Sequence, residues 1–390
     1  MPVKNRFAEL LPEITAWRRD FHAHPELLFD VHRTAARVAE LCRAFGCDEV
    51  VEGVGRTGVV AVIRGRSDRS GRAIGLRADM DALPIVEQTG RDYASKSPGR
   101  MHACGHDGHT AMLLGAAKYL AETRNFDGRV VLLFQPAEEG GGGGREMVEA
   151  GALERWNVSE VYGMHNQPGL PVGHFAIRPG PLMAAADQFE IRVTGKGGHA
   201  AKPHETVDPM VISAQIILGL QTIASRIVDP LKQVVVSVCT ITSDSPAHNV
   251  IPQVVVMKGT VRSFDKAVRA LAEEKVKAIV SGIAGTFGAS GEVIWHPGYP
   301  ATVNAAENTG FALEVARGIA GEAAVIDDIA PQMGAEDFSY MLEARPGAYI
   351  FVGNGETASV HHPAYDFDDD AIPFGASWFA GMVEARLPAG

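Results

Sequence analysis

The stretch Arg129-Val-Val-Leu-Leu-Phe134-Gln-Pro-Ala-Glu138-Glu139-Gly-Gly141 decides how this chain folds. Val130 to Phe134 are branched or aromatic and read as a buried strand. The strand ends in two adjacent carboxylates, Glu138 and Glu139, followed by five glycines from Gly140 to Gly144. Two anions side by side at the mouth of an apolar strand are costly unless a cation compensates them. A charged loop tip with a glycine turn would explain the pattern equally well in isolation. The balance shifts because metal-ligand residues stand at the ends of other strand-like segments.

On either side of this strand the pattern alternates. Arg33 to Phe45 has helical periodicity, and Val59 to Ile63 and Ile74 to Leu76 read as strands. His109 to Glu122 is helical, with Met112, Ala116, Ala117 and Leu120 on one side; a helix near Met147 and a short strand near Val161 follow. This alternation predicts an α/β fold with a largely parallel sheet. The character changes near residue 185, where Phe189, Ile191 and Val193 alternate with polar residues. A helix opens at Asp208-Pro209, cap then proline, and runs to about Ile227. Strands Val234 to Ile241 and Val254 to Val261 precede a helix from Ala267 to about Phe287, an α+β order that suits a compact inserted domain. From about Pro300 the α/β pattern resumes, with a helix over Thr309 to Ile319, a strand over Ala348 to Val352 and a final helix.

With 390 residues, 46% hydrophobic and 21% charged, the chain has a globular composition and is long enough for two domains. The net charge of −11 and the absence of a basic stripe argue against nucleic acid as a partner. No apolar core of signal-peptide length opens the chain and no stretch reads as a membrane span, so cytoplasmic residence is expected. The four cysteines, Cys42, Cys47, Cys104 and Cys239, are then expected as thiols.

Four segments carry the chemistry. Arg77-Ala-Asp79-Met-Asp81-Ala-Leu-Pro84 follows a strand, and its aspartates can orient histidines or a metal, or simply build a turn. Met101-His102-Ala-Cys104-Gly-His106-Asp107-Gly-His109-Thr110 is more specific: one glycine separates a thiol from an imidazole, so both can reach one divalent ion. His102 and His109 suit structural or orienting roles. Tyr162-Gly-Met-His165-Asn166 and Ser359-Val-His361-His362-Pro363 add histidines after two further strands. Ligands at the carboxyl ends of parallel strands lie where open α/β sheets place their sites. There is no His-Glu-x-x-His helix, no nucleophile elbow, no zinc-deaminase signature and no Walker lysine after the glycines.

These motifs, with Phe21-His-Ala-His-Pro-Glu-Leu27, Gly197-Gly-His199-Ala200, Pro203-His204 and Gly334-Ala-Glu-Asp337-Phe338, resemble the M20 metallopeptidase family, in particular its amidohydrolase branch. The resemblance covers nearly the whole chain. It implies a zinc-peptidase-like catalytic domain at 1–185 and 298–390 and an inserted lid and dimerisation domain at 186–297. It also implies two divalent ions per subunit (zinc, manganese, cobalt or nickel). Cys104 would bridge them, His106 and His165 would complete one site, and Glu139 and His361 the other. The family spacing, two residues before the proline, favours His361 over His362. Glu138 matches the general base, His199 a catalytic residue from the lid, and Asn249 and Arg262 substrate-binding positions.

The implied activity is hydrolysis of N-acyl amino acids of the hippurate or N-acetyl type, by a homodimer or homotetramer. An exopeptidase or a succinyl-diaminopimelate-type deacylase is the near alternative. Asp79-x-Asp81 in place of the peptidases' histidine-x-aspartate, and Cys104 in place of their bridging aspartate, argue for the amidohydrolase branch. A non-catalytic homologue should lack the base or a ligand, and every position is filled.

Overall fold

The computed structural model describes residues 4–389; the first three residues of the amino-terminal stretch read above lie outside the described residues. The chain forms two compact units: 1–182 with 302–330 and 337–390, and 183–301 with 331–336.

The first unit is built on an eight-stranded sheet. Its order is Glu49–Val54, Gly58–Arg64, Arg129–Gln135, Ala73–Asp79, Val158–Gln167, Gly347–Gly353, Phe175–Ala176 and Val325–Ile326. The four central strands, Arg129–Gln135, Ala73–Asp79, Val158–Gln167 and Gly347–Gly353, run parallel. Gly58–Arg64 pairs antiparallel with Arg129–Gln135, and Glu49–Val54 pairs antiparallel with it in turn. Ala73–Asp79 and Gly347–Gly353 are buried along their whole length. That continuity is what a parallel sheet covered on both faces requires. Helices Asn5–Ala23, His106–Thr123 and Ile372–Arg386 pack on one another and bury Phe7, Ile14, Met112, Leu113, Trp378 and Phe379. Each such side chain, fully withdrawn from water, contributes roughly 1.5–3 kcal/mol. The sequence gives no clear mark of Asn5–Ala23: Pro12 sits inside it and no acidic residue stands in its first turn.

The second unit carries a four-stranded antiparallel sheet in the order Val234–Ser243, Val254–Ser263, Ala185–Thr194, Ser290–His296. Burial along Ala185–Thr194 alternates residue by residue, so one face meets a core and the other does not. Helices Pro209–Thr222 and Lys266–Thr286 cover the inner face. Asp208 caps the first through the Met210 amide, and Asp265 caps the second through Ala267 and Val268. The stretch Pro209–Ile227, mean hydropathy 1.4, is long and apolar enough by length and composition to cross a membrane, contrary to the sequence reading. Ile212, Ile216, Leu220 and Ile223 spend one face of it on the unit's own core, while Met210, Val211 and Leu218 remain exposed.

Candidate metal centre

Parallel strands aim their carboxyl ends at one edge, and the residues leaving that edge of the first unit converge. Asp79 and Asp81 leave Ala73–Asp79, Glu138 and Glu139 leave Arg129–Gln135, and His165 lies near the end of Val158–Gln167. Cys104 and His106 enter from the start of helix His106–Thr123. Gly105 between them has φ +90°, and a Cβ there would stand 2.2 Å from Asn166 Nδ2. Only glycine lets the thiol and the imidazole turn to one point.

Among the described residues, three donor groups take in the expected ligands, each with its donor atoms within 4.8 Å of one another: Cys104, His106 and His165; Cys104, Glu139 and His361; His106, Glu138 and Glu139. Two more, Asp79 with His106 and His109, and Glu138 with Glu336 and Asp337, adjoin them. Cys104 Sγ is 3.3 Å from His165 Nε2, and His361 Nε2 is 3.3 Å from Glu139 Oε1. His361 holds a left-handed backbone, φ +66°, and its N–H donates to the Ala103 carbonyl at 2.7 Å. The ring of His362 turns away, its Nδ1 accepting from the Ala364 amide. Glu139 approaches both Cys104 and His361, whereas Glu138 shares a group with His106 and Glu139 but not with the thiol. The two glutamates are therefore placed differently.

Carboxylates set the field. Burial lowers the basicity of His106, but Asp79, Asp81 and Glu139 outweigh it and push its pKa up to about 10. Burial, with His109 nearby, pushes His165 down to about 3, so it stays neutral, the form that ligates metals. Burial first, then Glu139 and Glu138, push the Cys104 thiol well above its usual range. A thiolate there needs a compensating cation. His106 Nδ1 donates to the Asp81 carbonyl at 2.8 Å, which leaves Nε2 facing the carboxylates. That Nε2 and Glu139 Oε1 are 3.9 Å apart, and both are buried with no hydrogen-bond partner. Buried polar atoms are rarely left so. A soft and an oxygen donor set around two orphaned atoms fits divalent metal such as zinc or its neighbours.

An orienting layer stands behind the donors. Asp81 accepts from the amides of Glu138 and Glu139, at 2.9 and 3.1 Å. His109 Nδ1 meets Asp79 Oδ1 at 2.7 Å, and its Nε2 accepts from the Asn166 amide at 2.9 Å. Because that amide can only donate, His109 carries its proton on Nδ1. His102 joins none of the three donor groups, and burial pushes its pKa down to about 4.

The turn after Glu139 is closely packed in spite of its five glycines. A Cβ on Gly143 would meet the Pro136 carbonyl at 1.7 Å, and Gly143–Glu149 is already helix. Sequence reasoning quoted Arg77, Gln135 and Asp337, which are fully buried together, and the buried pair His22 and Asp107 within its motifs, but gave none of them a role. An arginine inside the apolar run Ile74-Gly-Leu-Arg77 was the available signal.

The remaining site candidates belong to the second unit. His199 lies on the short strand Gly198–His199, whose partner is Val250–Ile251, and Ala200 donates to the Asn249 carbonyl. His199 and Asn249 are thus neighbours and both exposed. Arg262 is half-buried on Val254–Ser263, its guanidinium turned to Thr260 and the Val261 carbonyl.

Known proteins share this arrangement. The model of peptidase family M20/M25/M40 matches residues 75–385. The chain is 42% identical over 371 residues to N-acetylcysteine deacetylase of Bacillus subtilis strain 168, covering 94% of each. It is 41% identical over 376 residues to hippurate hydrolase of Campylobacter jejuni, covering 96% of this chain and 97% of that protein. It is 42% identical over 384 residues to thermostable carboxypeptidase 1 of Saccharolobus solfataricus, covering 96% and 95%. A crystal structure of a dinuclear metal-binding M20 peptidase from Bacillus subtilis superposes with a TM-score of 0.85 at 37% identity, over 98% of this chain and 100% of that one. On sequence and fold alike, the chain belongs to peptidase family M20/M25/M40.

Proposed function

We propose that the protein is a metal-dependent amidohydrolase that cleaves N-acyl amino acids into a carboxylic acid and an amino acid. The observation that carries this reading is the pair His106 Nε2 and Glu139 Oε1, both buried without a hydrogen bond beside Glu138, His361 and a thiol common to two donor groups. Cys104, His106, His165, Glu139 and His361 would hold two divalent ions, the thiol being shared by the group with His106 and His165 and the group with Glu139 and His361. Such ions supply the Lewis acidity that makes a water nucleophilic near neutral pH and steadies a developing oxyanion. Glu138 takes the proton of that water on its carboxylate and delivers it to the nitrogen of the leaving amine. Asp81 fixes the backbone of both glutamates, so the acceptor oxygen is in place before the substrate arrives. His199, Asn249 and Arg262 are assigned to substrate binding, with Arg262 clamping the free carboxylate and His199 aiding the oxyanion.

The similarity to a deacetylase of N-acetylcysteine and to a hippurate hydrolase supports acyl-amino-acid substrates. The equal identity to a carboxypeptidase keeps an exopeptidase as a second reading. We infer further that the second unit acts as lid and dimerisation domain of a homodimer or homotetramer. Exposed Met210, Val211 and Leu218 on one helix support a subunit contact, since apolar patches on a surface mark interfaces. The four cysteines, all free thiols, support a reducing, cytoplasmic setting.

Hydrolysis of benzoyl-, acetyl- and indoleacetyl-amino acids should be measured against dipeptides, with each metal added back. Turnover of acyl-amino acids well above dipeptides is expected; the reverse order would establish the exopeptidase. Elemental analysis should find about two divalent ions per subunit and fewer in Cys104→Ala. Metal-free protein after metal-replete purification would defeat the site.

A further inference from the structure

Asp337, in the Gly334 to Phe338 motif, is fully buried, and with Glu336 it places a carboxylate oxygen within 4.8 Å of one on Glu138. Its Oδ1 accepts from Arg77 Nη2 at 2.9 Å and from Gln135 Nε2 at 2.6 Å, and its Oδ2 accepts from the Gly144 amide at 2.8 Å. Arg77 Nε in turn donates to Gln135 Oε1 at 2.9 Å. Gln135 is the last residue of its strand, and Gly144 stands in the first turn of the next helix. One carboxylate therefore grips both ends of the turn that carries Glu138 and Glu139.

That turn is strained. Ala137, just before Glu138, is fully buried and has φ +55°, a backbone that an alanine avoids. Strain of this kind persists where the surroundings over-determine it. Asp81 holds the middle of the turn through the Glu138 and Glu139 amides, and Asp337 holds its ends.

We propose that Asp337, with Arg77, is a positioning residue that keeps Ala137 in its left-handed state and so aims Glu138 and Glu139 into the centre. The inference rests on the metal-centre reading for its binding readout, and has a second readout that does not need metal. Removing the charge alone, as in Asp337→Asn, leaves a group of the same shape that cannot accept from all three donors. Conversely, Ala137→Gly removes the cost of the left-handed backbone.

The test uses full-length protein and Co2+ as the probe. Asp337→Asn should bind Co2+ roughly 10–100-fold more weakly in competition with a chelator. In the metal-free protein, the Glu138 and Glu139 amides should exchange hydrogen at least about tenfold faster. Adding Ala137→Gly to that variant should return about fivefold of the lost affinity. If Asp337→Asn does not fold, Gln135→Met removes one of the three donors and should show a smaller change of the same sign. Native Co2+ affinity and native amide protection in the variant would overturn the proposal. So would a defect that Ala137→Gly leaves unchanged. Wild-type protein that fails to bind Co2+ would instead reject the metal centre, with amide exchange still deciding the role of Asp337.

Discussion

Two buried charged clusters grow from the same strands a few residues apart, and they differ in completeness. Around Asp337, Arg77 donates to Asp79, Gln135 and Asp337, and the Gly144 amide meets the remaining oxygen. Around Glu139, His106 Nε2 and Glu139 Oε1 face each other across 3.9 Å and neither makes a hydrogen bond, the half-exposed His361 ring alone standing closer to that oxygen, at 3.3 Å. The first cluster is closed by the chain's own groups; the second is closed only by something added. Buried charge costs several kcal/mol per ion unless compensated. A closed cluster therefore reads as architecture and an open one as a binding centre.

The largest effect should follow from the open side. Glu138→Gln is expected to lower kcat by about 10^2- to 10^4-fold while metal content stays at the wild-type value. Wild-type turnover in that variant would remove the base assignment. On the closed side, Arg77→Met strands Asp79 and Asp337 without their cation. Urea denaturation should then show a loss of roughly 3–5 kcal/mol. Unchanged stability would mean that the closed cluster is not held by charge.

A smaller effect comes from a third cluster, His22 with Asp107 and Glu87, at 2.8 and 3.2 Å. Burial opposes the charge of His22, but the two carboxylates outweigh it and raise its pKa to about 9. Because the folded value exceeds the usual 6.5, this stabilisation is complete below about pH 6.5 and is lost as pH rises through 9. It amounts to on the order of 3 kcal/mol. Denaturation midpoints of wild type and His22→Phe between pH 6 and 10 should converge as pH rises; parallel curves would reject the ion pair. The smallest effect belongs to the second unit. Arg262→Ala should raise KM about tenfold and leave kcat within about twofold, as loss of ground-state binding does. A fall in kcat at unchanged KM would place Arg262 in the chemistry instead.

Much of this was legible beforehand because it rested on local signals. The all-apolar Val130–Phe134 marks a strand covered on both faces, and Cys104-Gly-His106 marks two donors at one turn. The alternation in Ala185–Thr194 separates an antiparallel sheet from the parallel one. Other features were not legible. Nothing in the run Gly140 to Gly144 announces that contacts with Pro136 and Ala137 fill the space around Gly141 and Gly143. Helix Asn5–Ala23 gave no clear start signal, having neither an N-cap side-chain bond nor an acidic first turn.

By itself, then, the sequence determined the fold class and which residue types could bind and move charge, since periodicity and donor chemistry are written residue by residue. Tertiary structure alone decided that Asp81 grips two amides that follow a different strand, and that Asp337 meets Arg77 across 260 residues of chain. Those facts depend on which strand ends share an edge, and strand order is a property of packing that no local pattern encodes.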